Sequence, residues 1–191
     1  MELFRSIRIK IGDSILRKKI SRTRRKIAYS DISSIRKIGI VWDATQTADF
    51  VSLSRFHQKM LERNIDVKII GYYPGKDLPN QYTAIRFLSI IRRNELNFFY
   101  LPASTEADVF MNSRFDVLID INFKKELTLN FLTALSAASF KVGLFSSEAD
   151  SEIFDLMMEI KKPVKVESYL DQVIHYLEMI NSGKTLKAVN Q

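Results

Sequence analysis

The chain has 191 residues, 46% of them hydrophobic and 27% charged, with six glycines and four prolines; these are values of one globular domain with an appendage and exclude collagen-like or wholly disordered chains. It contains no cysteine and two histidines, which excludes disulfides, thiolate metal sites and thiol nucleophiles and leaves little imidazole for general-base work. The net charge is +7, and its distribution is uneven. Arg5, Arg8, Lys10, Arg17, Lys18, Lys19, Arg22, Arg24, Arg25 and Lys26 face only Glu2 and Asp13, so residues 1–30 carry +8 and the rest of the chain −1. A basic segment on a neutral body is an address for an anionic partner.

Charges recur at Arg5, Arg8, Lys10 and Asp13, so no secretory signal is expected at the start. The longest uncharged run, residues 127–140, holds Thr, Asn and Ser and falls short of the roughly 20 apolar residues that span a bilayer. The expected location is the cytoplasm, including the inner face of its membrane.

In chain order, Phe4, Ile7, Ile11 and Ile15 recur at helical spacing, followed by Leu16 and Ile20, and predict a basic amphipathic helix that Gly12 weakens. Residues 1–30 are therefore read as an arm, 31–183 as an α/β domain and 184–191 as a tail. The first strand is expected over 38–42, then a helix to about residue 63, capped by Thr45 or Thr47, with Phe50, Leu53, Met60 and Leu61 on one face. A second strand covers 67–72, and Pro74, Gly75, Asp77, Pro79 and Asn80 mark a loop. Residues 81–101 fit helix or strand equally. A helix over 104–111 precedes a buried parallel strand over 115–120, an all-round apolar helix over 127–138 and a strand over 140–144. Residues 146–152 form a polar loop, 154–160 a half-exposed strand near an edge, and 166–181 a last helix stopped by Gly183. This alternation predicts a single Rossmann-like α/β domain, a mostly parallel sheet with helices on both faces.

Ligands of such sheets sit at the carboxyl ends of the strands. The first strand-to-helix turn has no glycine and carries Asp43 and Asp49, which argues against a phosphate there. Asp43, Asp49 and Asp120 are the candidate catalytic carboxylates, able to divide acid and base roles or to hold a hard cation; the competing reading is that such aspartates cap helices or bond loop amides. Trp42 is assigned to the core. His57 is read as a partly buried, hydrogen-bonded histidine, and His175, between Asp171 and Glu178, as part of a solvated face. Pro74-Gly75-Lys76-Asp77 is a turn, since it lacks the second glycine, the following Ser or Thr and the helix of a phosphate loop. No spacing calls for a metal or cofactor.

The segments Phe115-Asp-Val-Leu-Ile-Asp120 and Ala137-Ala-Ser-Phe-Lys-Val-Gly143 resemble the acceptor-side half of bacterial heptosyltransferases, where an aspartate-bounded strand, an apolar helix and a Lys-Val-Gly-like strand follow in that order. The chain departs from them in lacking a Gly-Asp start to the loop after its first strand and in leaving no room for a sugar-nucleotide domain. Over more of its length, at Ile38-Gly-Ile-Val-Trp-Asp-Ala-Thr45, Phe115 to Asp120, Phe140 to Gly143 and Phe154-Asp-Leu-Met157, it is similar to a bacterial family of short α/β proteins of unassigned function with a basic N-terminal helix. That resemblance implies no activity. The leading expectation is a non-enzymatic binding module whose ten N-terminal cations dock on RNA or an acidic lipid surface, RNA being slightly favoured because Arg22, Arg24 and Arg25 cluster after the best amphipathic turns and arginine offers forked phosphate contacts. A small enzyme or sugar-ligand binder related to half a glycosyltransferase is the runner-up, and a protein partner for the helix a third reading.

Overall fold

Apolar runs without polar alternation belong to strands that are covered on both faces, and β1 (Lys37–Asp43), β2 (Asp66–Tyr73), β4 (Val117–Asp120) and β5 (Phe140–Leu144) are largely of that kind, while β3 (Leu88–Arg92) and β6 (Leu156–Met158) are partly exposed. A computed structural model describes residues 2–145, 152–160 and 165–188. The six strands form one sheet in the order β3-β2-β1-β4-β5-β6, and every pairing is parallel. β1 lies at the centre, with Ile40 opposite Ile69 of β2 and Ile119 of β4. The order reverses between β1 and β4, the switch point where a crevice opens in folds of this kind.

Alternate side chains of these strands serve two cores. Ile38, Ile40 and Trp42 pack with Phe50, Leu53, Phe56 and Met60 of α2 (Asp49–Glu62) and with Tyr169, Leu170 and Val173 of α5 (Val166–Ala188). Val41, Ile70 and Leu118 pack with Ala107 and Phe110 of α3 (Thr105–Asn112) and with Leu129 and Leu132 of α4 (Leu127–Leu135). The parallel pair α2 and α5 is also laced on its outer side by Arg55–Glu167 (3.7 Å), Lys59–Asp171 (2.8 Å) and Arg63–Glu178 (2.8 Å). Being solvated, such pairs add a few tenths of a kcal/mol each, up to about 1.

The N-terminal helix α1 (Glu2–Ile20) forms a third layer on the outside of α4. Leu16 is buried against Leu101, Phe131, Ala134 and Ile153, with Ile15, Ile20 and Leu127 at the margin. Gly12 faces the loop before α3: a Cβ there would collide with the carbonyl oxygen of Phe99 and lie 2.8 Å from Leu127 Cδ2. The glycine that weakens the helix locally is what lets it approach a neighbouring backbone. The contact face is therefore rotated from the stripe Phe4, Ile7 and Ile11, whose side chains stay exposed.

Other expectations are corrected by packing. No side chain caps α2, whose N-cap is Ala48; Thr45 instead donates to Asp43. Phe56, two turns after Phe50, takes the core place expected for Leu61, which is exposed. Residues 81–101 resolve into a 3-10 turn at Asn80–Tyr82, then β3, then a second 3-10 turn at Arg93–Glu95, and Leu96 makes only an isolated bridge with Pro102. The half-exposed strand expected over 154–160 is β6, three residues long and at the sheet edge. Gly183 does not stop α5, which runs to Ala188 and so takes in the first part of the expected tail. Residues 146–151 of the expected polar loop and 189–191 of the tail lie outside the described residues.

Because α1 is held by close approach rather than by propensity, Gly12→Ala is expected to destabilise the protein even though alanine favours a helix by about 1 kcal/mol over glycine. Leu16→Ala should cost about 2 kcal/mol or more, whereas Ile7→Ser at the exposed stripe should stay within about 0.5 kcal/mol. Urea unfolding of the three variants checks the order; a neutral Leu16→Ala would mean that α1 is not docked.

Candidate functional site

At the switch point the three aspartates do different things. Asp43 ends β1 and turns its Oδ1 onto the amide (3.0 Å) and hydroxyl (2.6 Å) of Thr45, an Asx turn that shapes the loop. Tyr82 holds the same loop by donating its hydroxyl to the carbonyl of Ala44 at 3.0 Å. Beneath it, Trp42 stacks on Phe50 and meets Tyr82 edge-on, as a core residue. Asp49 opens α2, and partial burial, followed by the nearby Asp43 charge, raises its carboxyl above the ordinary range. Asp120 is buried on the α4 side of the sheet, its Oδ1 accepting from the Asn122 amide (2.7 Å) and its Oδ2 from the Thr133 hydroxyl of α4 (2.6 Å). Its register partner is Val41, two residues short of Asp43. Asp43 and Asp49 are thus electrostatic neighbours, while Asp120 joins β4 to α4.

Neither histidine forms a metal site. His57 stacks on Phe87 at 3.9 Å between ring centroids, and burial lowers its pKa; ring stacking stands where a hydrogen bond was expected. His175 is exposed on α5, and its flanking carboxylates Asp171 and Glu178 reach across to Lys59 and Arg63. Among the described residues no group of three or more His, Asp or Glu side chains is arranged to hold a metal ion.

The cations of residues 1–30 divide into two sets. Arg25 turns inward: it grips Asp155 through both carboxylate oxygens at 2.6 Å, donates to the carbonyl of Ser139 at 3.1 Å and keeps only 16% of its side chain exposed. It clamps the end of the arm to β5 and β6, not to a partner. Arg8 is partly committed as well, donating to the Phe98 carbonyl at 2.6 Å with its guanidinium 4.1 Å from the Phe98 ring centre and 4.7 Å from that of Tyr100. Arg17 pairs with Asp13 one turn earlier, and Lys19 lies 5.2 Å over the Phe131 ring. Arg5, Lys10, Lys18, Arg22, Arg24 and Lys26 are exposed.

Between them runs the apolar row that docking on α4 leaves uncovered: Phe4 is 73% exposed, Ile7 47% and Ile11 41%. One turn after Phe4, Arg8 covers Phe98, itself 65% exposed. Tyr100, the second ring below Arg8, has φ of 61°, a left-handed conformation that costs a bulky residue on the order of 1–2 kcal/mol. It is retained by Thr128, whose hydroxyl donates to the Tyr100 carbonyl, and by Asn97, whose side chain accepts from the amides of Phe99 and Leu101. Arg93, just after β3, approaches the same ring at 5.8 Å. Phe98, Tyr100 and Arg93 were invisible to sequence reading, because only tertiary contact with α1 makes them a unit.

One buried cation also escaped notice. Lys141 of β5 lies beneath the clamp, its Nζ donating to the Ala134 carbonyl at the end of α4 (2.8 Å). Burial, and then the Arg25 charge, lower its pKa from 10.5 to about 7, against an opposing pull from Asp155. Between those two values the unfolded chain holds a proton that the folded chain lacks, so stability rises with pH. The contribution is complete above the unfolded pKa and is lost as pH falls through about 7. Relative to Lys141→Met, the wild-type protein should gain about 2 kcal/mol between roughly pH 6 and pH 9. Denaturant titrations at both pH values check this, and parallel curves would place the Lys141 pKa elsewhere.

A family model matches residues 8–180, so the chain belongs to that family, a family of unknown function (DUF6913). The match covers α1 from Arg8 onward and every strand, and a likeness to heptosyltransferases is not shown. No curated protein matches the chain.

Proposed function

We propose that the protein is a peripheral binding module that docks on an anionic lipid surface through α1. The observation that carries this reading is the exposed row of Phe4, Ile7 and Ile11, set among Arg5, Lys10 and Lys18 on a helix whose other face is packed against α4. An interfacial helix needs both features, apolar side chains to enter the boundary between headgroups and acyl chains and cations to meet the charge. Fully burying a side chain of this size contributes roughly 1.5–3 kcal/mol, and each cation held near an anionic surface about 1 kcal/mol. Together these suffice for reversible attachment. Among the described residues no helix is long and apolar enough to cross a membrane, which is compatible with attachment at one face.

Two details move the balance from RNA toward lipid. Arg25, one of the three clustered arginines on which forked phosphate contact rested, is occupied by Asp155. The exposed apolar row, in turn, adds little to a contact dominated by phosphates.

Co-sedimentation of the full chain with vesicles of phosphatidylglycerol and phosphatidylethanolamine, beside neutral phosphatidylcholine vesicles, tests the reading. Binding is expected to the anionic vesicles only, to weaken with salt, to fall by about tenfold or more in Phe4→Ser/Ile7→Ser/Ile11→Ser, and to be weaker and less salt-dependent in Arg22→Gln/Arg24→Gln. Binding to single-stranded RNA that the triple serine variant leaves intact, with a salt slope near −0.7 per phosphate, would replace lipid by RNA. Absence of both at low salt would leave a protein partner for the row.

A further inference from the structure

At the carboxyl edge of β2 and β3 lies an open cleft of about 590 Å3, lined by Pro74, Gly75, Lys76, Arg92, Arg93 and Asn94. Two chain segments supply its three cations: Lys76 from the loop after β2, Arg92 from the last position of β3 and Arg93 from the 3-10 turn that follows. Gly75 keeps the first segment tight, because a Cβ at that position would collide with the ring of Tyr73. Among the described residues the one carboxylate bonded to these cations is Glu95, which accepts from the Arg92 amide (2.9 Å) and lies 3.5 Å from the Arg92 Nε. No acidic side chain lines the cleft, and Asn94 adds a neutral amide.

Like charges do not converge in a concave site without cost, so their grouping there is informative. The position is also one where open parallel sheets take ligands, outside the carboxyl ends of their strands. Two guanidinium forks and an ammonium suit a tetrahedral oxyanion, which accepts paired N–H bonds. The cleft volume falls in the range of small-ligand sites, roughly 300–1,000 Å3, and is larger than a bare phosphate requires.

We propose that this cleft binds the phosphate monoester or diphosphate group of a small organic phosphate, with Lys76, Arg92 and Arg93 as the anion-binding residues. The turn at Pro74-Gly75-Lys76 lacks the glycine pattern of a phosphate loop; here side chains take the role that backbone amides play there. None of Phe4, Ile7 and Ile11 lines the cleft, so the two readings can fail separately.

Isothermal titration of the full chain with inorganic pyrophosphate at low ionic strength tests it. Saturable one-to-one binding is expected, weakened about tenfold or more by Lys76→Gln/Arg93→Gln, and unchanged both in Phe4→Ser/Ile7→Ser/Ile11→Ser and in Arg114→Gln, an exposed cation at the opposite edge. Competition by phosphatidic acid vesicles would identify a lipid headgroup as the source of the phosphate, and failure to compete a free organic phosphate. No saturable heat at about 10 mM pyrophosphate, or an equal loss in Arg114→Gln, would overturn the proposal.

Discussion

Helix α4 has apolar side chains on both of its sides. Leu129 and Leu132 fill the core between helix and sheet, and Phe131 and Ala134 point the opposite way, where nothing in a two-faced sheet would cover them. Leaving that outer side in water would expose a contiguous apolar patch, so a further layer is required. Helix α1 supplies it, and the placement of the basic arm follows. Leu16 fixes the rotation of α1, Gly12 its distance, and Arg25 the point where the arm rejoins the domain at β5 and β6. The exposed row and the outward cations are what remains once those constraints are met.

The sheet was legible because its signal is local. Continuous apolar runs such as Ile38 to Trp42 and Val117 to Ile119 have no other stable use in a chain of this composition, and helices between them force parallel crossovers. Capping was less legible. Thr45 has the right chemistry for a helix start, but Asp43 lies two residues away and captures both its amide and its hydroxyl. Gly183 was read as a stop from propensity alone, although a glycine inside a helix costs only about 1 kcal/mol. Residues 81–101 could not be read because their conformation depends on distant partners: β3 is paired only on one side, and the loop through Tyr100 is held by Thr128 of α4.

The candidate surface was half legible. Charge counting located the ten N-terminal cations, but a tally treats every arginine as equivalent, and burial separates them. Arg25 stands beside Arg22 and Arg24 in the sequence; its partner Asp155 is 130 residues away in the chain, beyond the reach of any periodicity. Lys141, in an apolar strand, reads as an interruption of the Phe140 to Leu144 pattern, and only the Ala134 carbonyl explains how it can be buried. The carboxylates that composition made attractive, Asp43 and Asp120, are held by short bonds within the fold.

All strands of the sheet point the same way, and the helices that return the chain between them run back against that direction. Helix α1 shares the sense, since Arg8 lies beside the loop after β3 and Arg25 beside the start of β5. The amide ends of these helices therefore gather along one edge, where each contributes a partial positive charge of about half a unit. Arg5, Arg8, Arg92 and Arg93 stand along the same edge, beside the carboxylates of Asp43, Asp49 and Glu95, while Arg25 lies toward the other end of the strands. The charge of the molecule is therefore divided between two edges, and the backbone amides reinforce the cations of only one of them.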